Sequence, residues 1–371
     1  MISNNRTPAL NESSAALALD YESVVESDPS DSDCPEVSVL VLCYGRLDFL
    51  SECLRSVTSQ TGLSLTEWEV VLVSNMPQAG TVLEKSVSSL GVRHRFVLSD
   101  AKPVGQFMLD GVRACRSELI SILDEDDMWR PGKLAKVLRE FRSHNRAGLV
   151  RDQIQVVDRN GRESKSLDRV SRFRMGRRVS IGEFSPEAPR LSRIYPGHPF
   201  HNESTMTVRK AILIRNGLGL RRVTAGQDAF IFFATLAEHR SVILLKEAFT
   251  LYRSHDSNAS RAKAKSMRAK LERLSGNSNL LFDMVAILDA LLEPAAEPPV
   301  QELWGFVRSA IRFIATLQSP VPTRRCLFTA WTQLPRKMLF AAPLEVARLA
   351  TVGVIFLLSP RVAQRLYVAG R

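Results

Sequence analysis

Four acidic residues stand in a row, Asp124, Glu125, Asp126 and Asp127, directly after an apolar run in ELISILDEDDMWRPGKL. Carboxylates this close repel one another, and the arrangement is costly unless a cation neutralises it. A divalent ion is the simplest remedy. Oxygen ligands of this kind suit Mn²⁺ or Mg²⁺, which take one or two protein carboxylates together with the phosphate oxygens of a substrate. A solvated acidic turn leading into a helix near Pro131 explains the same residues, because acids favour helix amino-termini. The pattern alone leaves both readings open. Another acid, Asp228, opens the apolar stretch DAFIFFATLAEH, where it reads as a first-turn acid on a buried helix. His198 and His201 in PGHPFHNES have metal-like spacing, but prolines flank His198 and no third ligand is near, so no zinc site is expected.

The acidic cluster must be presented by something, and the flanking sequence says what. VSVLVLCY from Val37 is a β-branched apolar run of buried-strand type, and LDFLSECLRSVTSQ after it carries Leu47, Leu50, Leu54 and Val57 at helical spacing. WEVVLVSN and HRFVLSD read as further strands, with VLEKSVSSLG between them as a helix closed by a glycine cap. MLDGVRACRS then predicts a helix and ELISILDEDD a fourth strand. Strands alternating with helices imply an α/β fold with a mostly parallel central sheet flanked by helices. Ligands of such sheets bind beyond the carboxyl ends of the strands, where the acidic cluster falls.

Downstream, VRDQIQVVDRNGRE predicts a hairpin with an Asn-Gly turn, followed by a basic stretch through Arg169, Arg172, Arg174, Arg177 and Arg178. That stretch either clamps an anionic ligand or is a solvated loop. SVILLKEAFTLYRSH reads as a strand leading to an exit loop. Beyond Arg261 the chain is helical, and ELWGFVRSAIRFIATLQ lines up Leu303, Trp304, Val307, Ile311, Ile314 and Leu317 in one apolar stripe near Arg308 and Arg312. Such a helix either lies in a membrane surface or docks on its own domain. LATVGVIFLL is too short to span a bilayer.

Composition sets the outer bounds. The 371 residues carry a net charge of +11, while residues 1–36 hold eight Asp/Glu against Arg6 alone, so the remainder is strongly basic. Anionic partners are favoured, and no nucleic-acid module is recognisable. The five cysteines form no CxxC pair and predict neither a disulfide framework nor a zinc site; Cys43, Cys53 and Cys115 read as buried thiols. The amino-terminal stretch does not read as a secretory signal, so a cytoplasmic setting is expected. Three segments follow: an acidic, flexible tail over 1–35, an α/β domain over 36–260 and a helical region over 261–371.

Several ordered motifs from Val37 to Ser260 resemble the family 2 glycosyltransferases of GT-A fold. The opening strand and helix match at Tyr44, Arg46, Leu50, Ser56 and Gln60, and LDEDDMWRPGKL is similar to the family's aspartate-rich metal motif. The resemblance implies an inverting, metal-dependent transfer of sugar from a nucleotide-sugar, in the synthesis of cell-surface polysaccharide or glycolipid. By position it makes Asp126 the direct metal ligand, Asp124 a contact to metal or nucleotide, and Asp228 the general base. LYRSH resembles the segment that closes the family's catalytic domain, which puts Arg253 beside the diphosphate and His255 at the metal. Tyr44, Arg46 and Asn75 are implied nucleotide-sugar contacts.

The chain departs from the family at Ser74-Asn75, where two acids are usual, and at Gly45, where the family has Asn. An Asn carbonyl still accepts a hydrogen bond from a base, without charge, so a UDP-sugar is favoured less firmly than in the family. The implied acceptor is a glycan or lipid-linked hydroxyl, with peripheral membrane contact through the carboxyl-terminal helices. STMTVRKAIL matches the acceptor-side strand and helix start, which sets Glu203–Thr205 at the acceptor's border. Two rivals stand beside this reading. A nucleotidyltransferase would want a Gly-rich phosphate loop after the first strand, which CYGRLDFL lacks, and a non-catalytic binding module would not need both the acidic motif and Asp228.

Overall fold

The computed structural model describes residues 34–163, 179–181, 201–255, 267–292 and 298–318. The alternating strands and helices of the amino-terminal half form where the periodicity puts them. Strand β1 (Val37–Cys43), helix α1 (Leu50–Thr58), β2 (Trp68–Ser74), α2 (Gln78–Val87), β3 (Arg93–Leu98), α3 (Val104–Ala114) and β4 (Leu119–Asp124) follow in order. The expected glycine cap is Gly91, in the left-handed conformation at φ 66°. β1, β2, β3 and β4 are all parallel, in the order β3-β2-β1-β4. The chain winds outward from β1 to β3 and then crosses to β1's other side, which opens a crevice between the carboxyl ends of β1 and β4. In register Cys43 lies beside Ser74 and Leu42 beside Asp124, so Tyr44, Asn75 and the acidic motif leave the sheet at one level.

The second half corrects two expectations. After β5 (Met128–Trp129) and α4 (Lys133–Ser143), the segment expected to be one hairpin is divided between sheets. β6 (Ala147–Arg151) joins the large sheet, and β7 (Ile154–Val157) joins a small one; only the Asn160-Gly161 reversal survives, closed by a Val157–Glu163 bridge. After β8 (Val179–Ile181), β9 (Met206–Arg209) inserts antiparallel between β4 and β6. Because β9 runs backwards, its entry segment, residues 202–205, lies at the same sheet edge as the acidic motif. Short helices α5 (Lys210–Arg215) and α6 (Gly217–Leu220) lead to α7 (Gln227–Ala237). The predicted single strand before LYRSH is two, β10 (Ser241–Leu244) in the large sheet and β11 (Thr250–Arg253) in the small one, where it pairs with β5 and β7.

Alternate residues of the strands feed two cores. Leu40 and Leu42 face α3 and α7, while Val39, Val41 and Cys43 face α1, α2 and α4. Cys43, Cys53 and Cys115 are buried free thiols, as expected. Every residue of α7 from Ala229 to Ala237 is buried. A helix apolar all round needs cover on both sides, and the outer cover is a helical hairpin, α8 (Met267–Leu292) and α9 (Pro298–Gln318). Of the two fates open to the stripe on α9, docking is the one found: Leu303, Trp304, Val307 and Ile311 are buried in the same core as α7. Trp304 meets Phe233 edge-on at 5.1 Å and donates its indole N–H to Asp289, which also pairs with Arg308 and Arg312. None of the described helices is long and apolar enough to cross a membrane. Arg169–Arg178, His198, LATVGVIFLL and nearly all of the acidic tail lie outside the described residues.

Helix α3 approaches α6 so closely that a Cβ on Gly105 would sit 1.9 Å from the Leu220 carbonyl oxygen. Backbone cannot yield as a side-chain tip does, so Gly105→Ala is expected to lower stability by about 1–3 kcal/mol. Urea unfolding checks this; an unchanged midpoint would show that the contact is looser than the geometry requires.

Candidate functional site

The acidic motif sits at the crevice with each carboxylate in a different setting. The Asp124 N–H is held by Ser204 Oγ at 3.1 Å, and the Asp127 N–H by the Asp124 carbonyl at 3.1 Å, so the motif turns tightly off β4. Glu125 and Asp126 both meet Arg46, at 2.8 and 2.9 Å. Asp126 Oδ2 also lies 3.0 Å from His255 Nε2, and the His255 ring packs on Phe49. Asp127 is buried, its Oδ1 accepting the Arg253 N–H at 3.0 Å and its Oδ2 the Asn202 Nδ2–H at 3.0 Å.

Burial, and after it the crowding of like charge, raises the pKa of three of these groups. Burial, with the charges of Glu203, Asp127 and Asp126 added, pushes Asp124 well above the ordinary carboxylate range. Burial and the neighbouring Asp126 raise Glu125 and Asp127 to about 7 each. Asp124, Asp126 and Asp127 offer carboxylate oxygens within 4.8 Å of one another. An all-oxygen donor set beside the His255 imidazole, carrying more negative charge than its surroundings balance, fits a hard divalent cation such as Mg²⁺ or Mn²⁺. Asp127 already spends both oxygens on Arg253 and Asn202, which leaves Asp124 and Asp126 better placed to ligate.

Arg253 is fully buried beneath the motif rather than displayed in the crevice. Its Nε donates to the Asp126 carbonyl at 2.9 Å, Nη1 to the Arg159 carbonyl and Nη2 to Glu52, both at 2.6 Å, while the guanidinium lies over Phe49. Asn75 Oδ1 accepts the N–H of Gly45 at 2.9 Å, locking that glycine at φ 77°. Tyr44 is exposed and meets Phe107 edge-on at 5.3 Å.

Asp228 lies in the first turn of α7, as expected, and its carboxylate faces the segment that enters β9. Oδ2 accepts the Asn202 N–H at 2.9 Å and Oδ1 the Ala229 N–H at 2.8 Å. Glu203 stands between Asp228 and the acidic motif, bonded to Gln227, and burial with the charge of Asp228 raises it to about 8. A buried pair supports this segment from below. Lys133 and Asp152, 2.9 Å apart and both without exposure, meet under Ser204, whose carbonyl accepts from Lys133 Nζ and Trp129 Nε1.

The structure therefore brings Arg46, Asp124, Asp126 and His255 together and sets Asp228 across the Asn202–Thr205 segment from them. Reasoning from sequence missed Asn202, Lys133 and Glu52, and it set Ser204 only at the acceptor's border, not at the turn of the acidic motif. Ser204 and Asn202 act across some 80 positions of chain, and no local spacing marks such contacts.

Residues 38–213 match the sequence pattern of "Glycosyl transferase family 2". Among individual proteins, the chain is 28% identical over 129 residues to chondroitin synthase of Escherichia coli, covering 34% of this chain and 18% of that one. It is 25% identical over 148 residues to succinoglycan biosynthesis protein ExoO of Rhizobium meliloti, covering 40% and 41%. The chain spans less than half the length of the curated relatives it matches. Its fold is similar to that of the mannosyltransferase PcManGT of Pyrobaculum calidifontis, solved with GDP-Man and Mn²⁺, at TM-score 0.53 and 15% identity, over 91% of this chain and 86% of that one.

The raised carboxylates yield a prediction on pH. Glu125 and Asp127 hold protons in the folded state that the unfolded chain has already released, so their stabilising share is complete below about pH 4 and lost as pH rises through about 7. A divalent ion competes with those protons. The increment in Tm on adding Mn²⁺ is expected to grow from about pH 5 to about pH 8. Thermal scans with Mn²⁺ or with chelator measure it, and an increment that shrinks over that interval would contradict the assignment.

Proposed function

We propose that this chain, which carries a family 2 glycosyltransferase domain on a GT-A fold, moves a sugar from a nucleotide-sugar to a hydroxyl acceptor with inversion at the anomeric carbon. The observation that carries the reading is the pairing of one acidic motif at the β1/β4 crevice with one separately held carboxylate, Asp228. Asp124 and Asp126, with His255, would hold Mn²⁺ or Mg²⁺. That ion, when bound, would offset the charge gathering on the departing diphosphate.

Asp228 is suited to general-base work. Two N–H groups fix its orientation, the amino-terminus of α7 favours its charge, and a carboxylate keeps further lone pairs for an acceptor hydroxyl. As the acceptor oxygen bonds to the anomeric carbon, its proton passes to Asp228, and the bond to the diphosphate oxygen breaks with its electron pair on the leaving group. A single displacement, in which the acceptor oxygen attacks from the face opposite the diphosphate, gives inversion.

The remaining expected contacts divide by setting. Tyr44 is exposed and suited to touch the donor, while Asn75 has one Oδ1 lone pair held by Gly45 and offers the donor its other lone pair and its Nδ2–H groups. Arg46 screens Glu125 and Asp126 and lies where donor phosphates would approach. Arg253 acts as a positioning residue, holding the Asp126 carbonyl and the β11 edge of the site. A UDP-sugar donor and a glycan or lipid-linked acceptor, in polysaccharide or glycolipid synthesis, complete the reading. The pathway is supported by what the chondroitin and succinoglycan relatives are named for. Peripheral membrane contact would have to come from residues other than the docked stripe of α9.

Two variants separate the roles. Asp126→Ala is expected to abolish Mn²⁺-dependent binding of UDP- or GDP-sugar in calorimetry, whereas Asp228→Asn should retain it. Asp228→Asn should instead lower transfer by about 10²–10⁴-fold, the usual worth of a positioned base. Nucleotide binding by Asp126→Ala equal to that of the parent protein would refute the metal site, and full transfer by Asp228→Asn would refute the base. Binding of no nucleotide-sugar by the parent protein would favour the non-catalytic module.

A further inference from the structure

We propose that Asn202 is a positioning residue that ties the base Asp228 to the acidic motif at one fixed separation; the inference rests on the reading of the site just given. The residue reaches both partners. Its backbone N–H donates to Asp228 Oδ2 at 2.9 Å, and its side-chain Nδ2–H donates to Asp127 Oδ2 at 3.0 Å. Those two carboxylates lie on elements a hundred residues apart in the chain, and Asn202 is a direct bridge between them.

Asn202 holds this place against two costs. Its backbone stands at φ 72° and ψ 108°, outside the regions that residues with a side chain adopt easily. Its carboxamide oxygen is buried without a hydrogen-bond partner among the described residues, in a residue only 7% exposed. Glycine would relieve both, because it tolerates positive φ and brings no orphan acceptor. It would also keep the N–H that Asp228 uses. The one interaction that glycine lacks is the bond to Asp127, so that bond is what the asparagine contributes.

The surrounding contacts hold the strained peptide in place. The Asn202 carbonyl accepts from Thr205 Oγ1 at 2.6 Å, and the His201 carbonyl accepts from Arg151 Nη2 at 2.9 Å. The peptide linking His201 to Asn202 thus has a buried cation on its carbonyl and the Asp228 carboxylate on its N–H, so its dipole is aligned with both charges. Asp127 is pinned from its other side by the Arg253 N–H. A change in the acidic motif when nucleotide and metal bind therefore has a two-bond path to the base, through Asp127 and Asn202.

Amide hydrogen exchange of the full chain, with Mn²⁺ and UDP and then with Mn²⁺ and GDP, tests the link in the parent protein and in Asn202→Gly. Binding is expected to slow exchange at residues 124–128 and at 226–231 in the parent protein. In Asn202→Gly, nucleotide affinity should stay within about threefold, because no proposed ligand is removed, and the slowing at 124–128 should persist. The slowing at 226–231 should fall by about tenfold, the factor expected from losing one hydrogen bond to a charged partner. A merely structural role would lower Tm without separating the two segments. Should the glycine variant fail to fold, Asn202→Ala, which also keeps the N–H, is expected to show the same separation. Equal slowing of 226–231 in variant and parent, or loss of nucleotide binding in the variant, would overturn the inference. Failure of the parent protein to bind either nucleotide with Mn²⁺ would instead overturn the functional reading on which it rests.

Discussion

Negative charge packed into the carboxyl end of β4 is the constraint around which the rest of the site is arranged. Four adjacent acids, three of them nearly devoid of exposure, would repel strongly in a partly buried crevice. The structure meets this with distributed positive charge and oriented donors. Arg46 comes from the loop after β1, His255 and the Arg253 N–H from the end of β11, and Asn202 from the entry to β9. Each element that reaches the crevice thus brings a group that tolerates or neutralises the motif. What remains unbalanced is what a divalent ion would meet.

The balance holds only if those elements cannot shift, and the packing below the crevice secures that. Lys133 and Asp152 form a fully buried ion pair whose lysine also holds the Ser204 carbonyl and lies 4.3 Å from the centre of the Trp129 ring. Breaking a pair of this kind from one side strands a charge in the interior, which makes it a rigid support whatever its net contribution to stability. Ser204 in turn fixes the first residue of the acidic motif through its hydroxyl. On the opposite core, the α8–α9 hairpin covers α7, the helix that carries Asp228. Met284 of α8 reaches Gly226, directly before the Gln227-Asp228 pair, so closely that a Cβ there would lie 2.2 Å from its sulfur. The carboxyl-terminal helices therefore pack against the start of the helix that carries Asp228.

The amino-terminal half was legible because its signals are local. Buried parallel strands read as short β-branched runs, and the helices between them keep one apolar face. The second half was less so. VRDQIQVV has the look of a hairpin arm, yet Asp152 and Gln153 break it at the boundary between two sheets. KEAFT does the same between β10 and β11, because a strand that changes sheets keeps its apolar pattern throughout. The amphipathic stripe of α9 was ambiguous for a different reason: an apolar face states that it will be covered, and only the neighbouring α7 says by what.

By itself, then, the sequence determined the α/β class, the place of the acidic motif at a strand end and the first-turn position of Asp228. Each of these depends on residues within one turn or one strand of each other. Tertiary structure alone decided which carboxylates face the crevice and which are tied beneath it. It made Arg253 a buried brace and linked Asp127 to Asp228 through Asn202. The Asn202 link depends on the antiparallel insertion of β9, which carries residues 202–205 to the edge where β1 and β4 end, and the burial of Arg253 depends on the pairing of β11 with β5 and β7. Pairing between strands so distant in the chain is set by how the whole sheet closes its core, and no spacing within a segment records it.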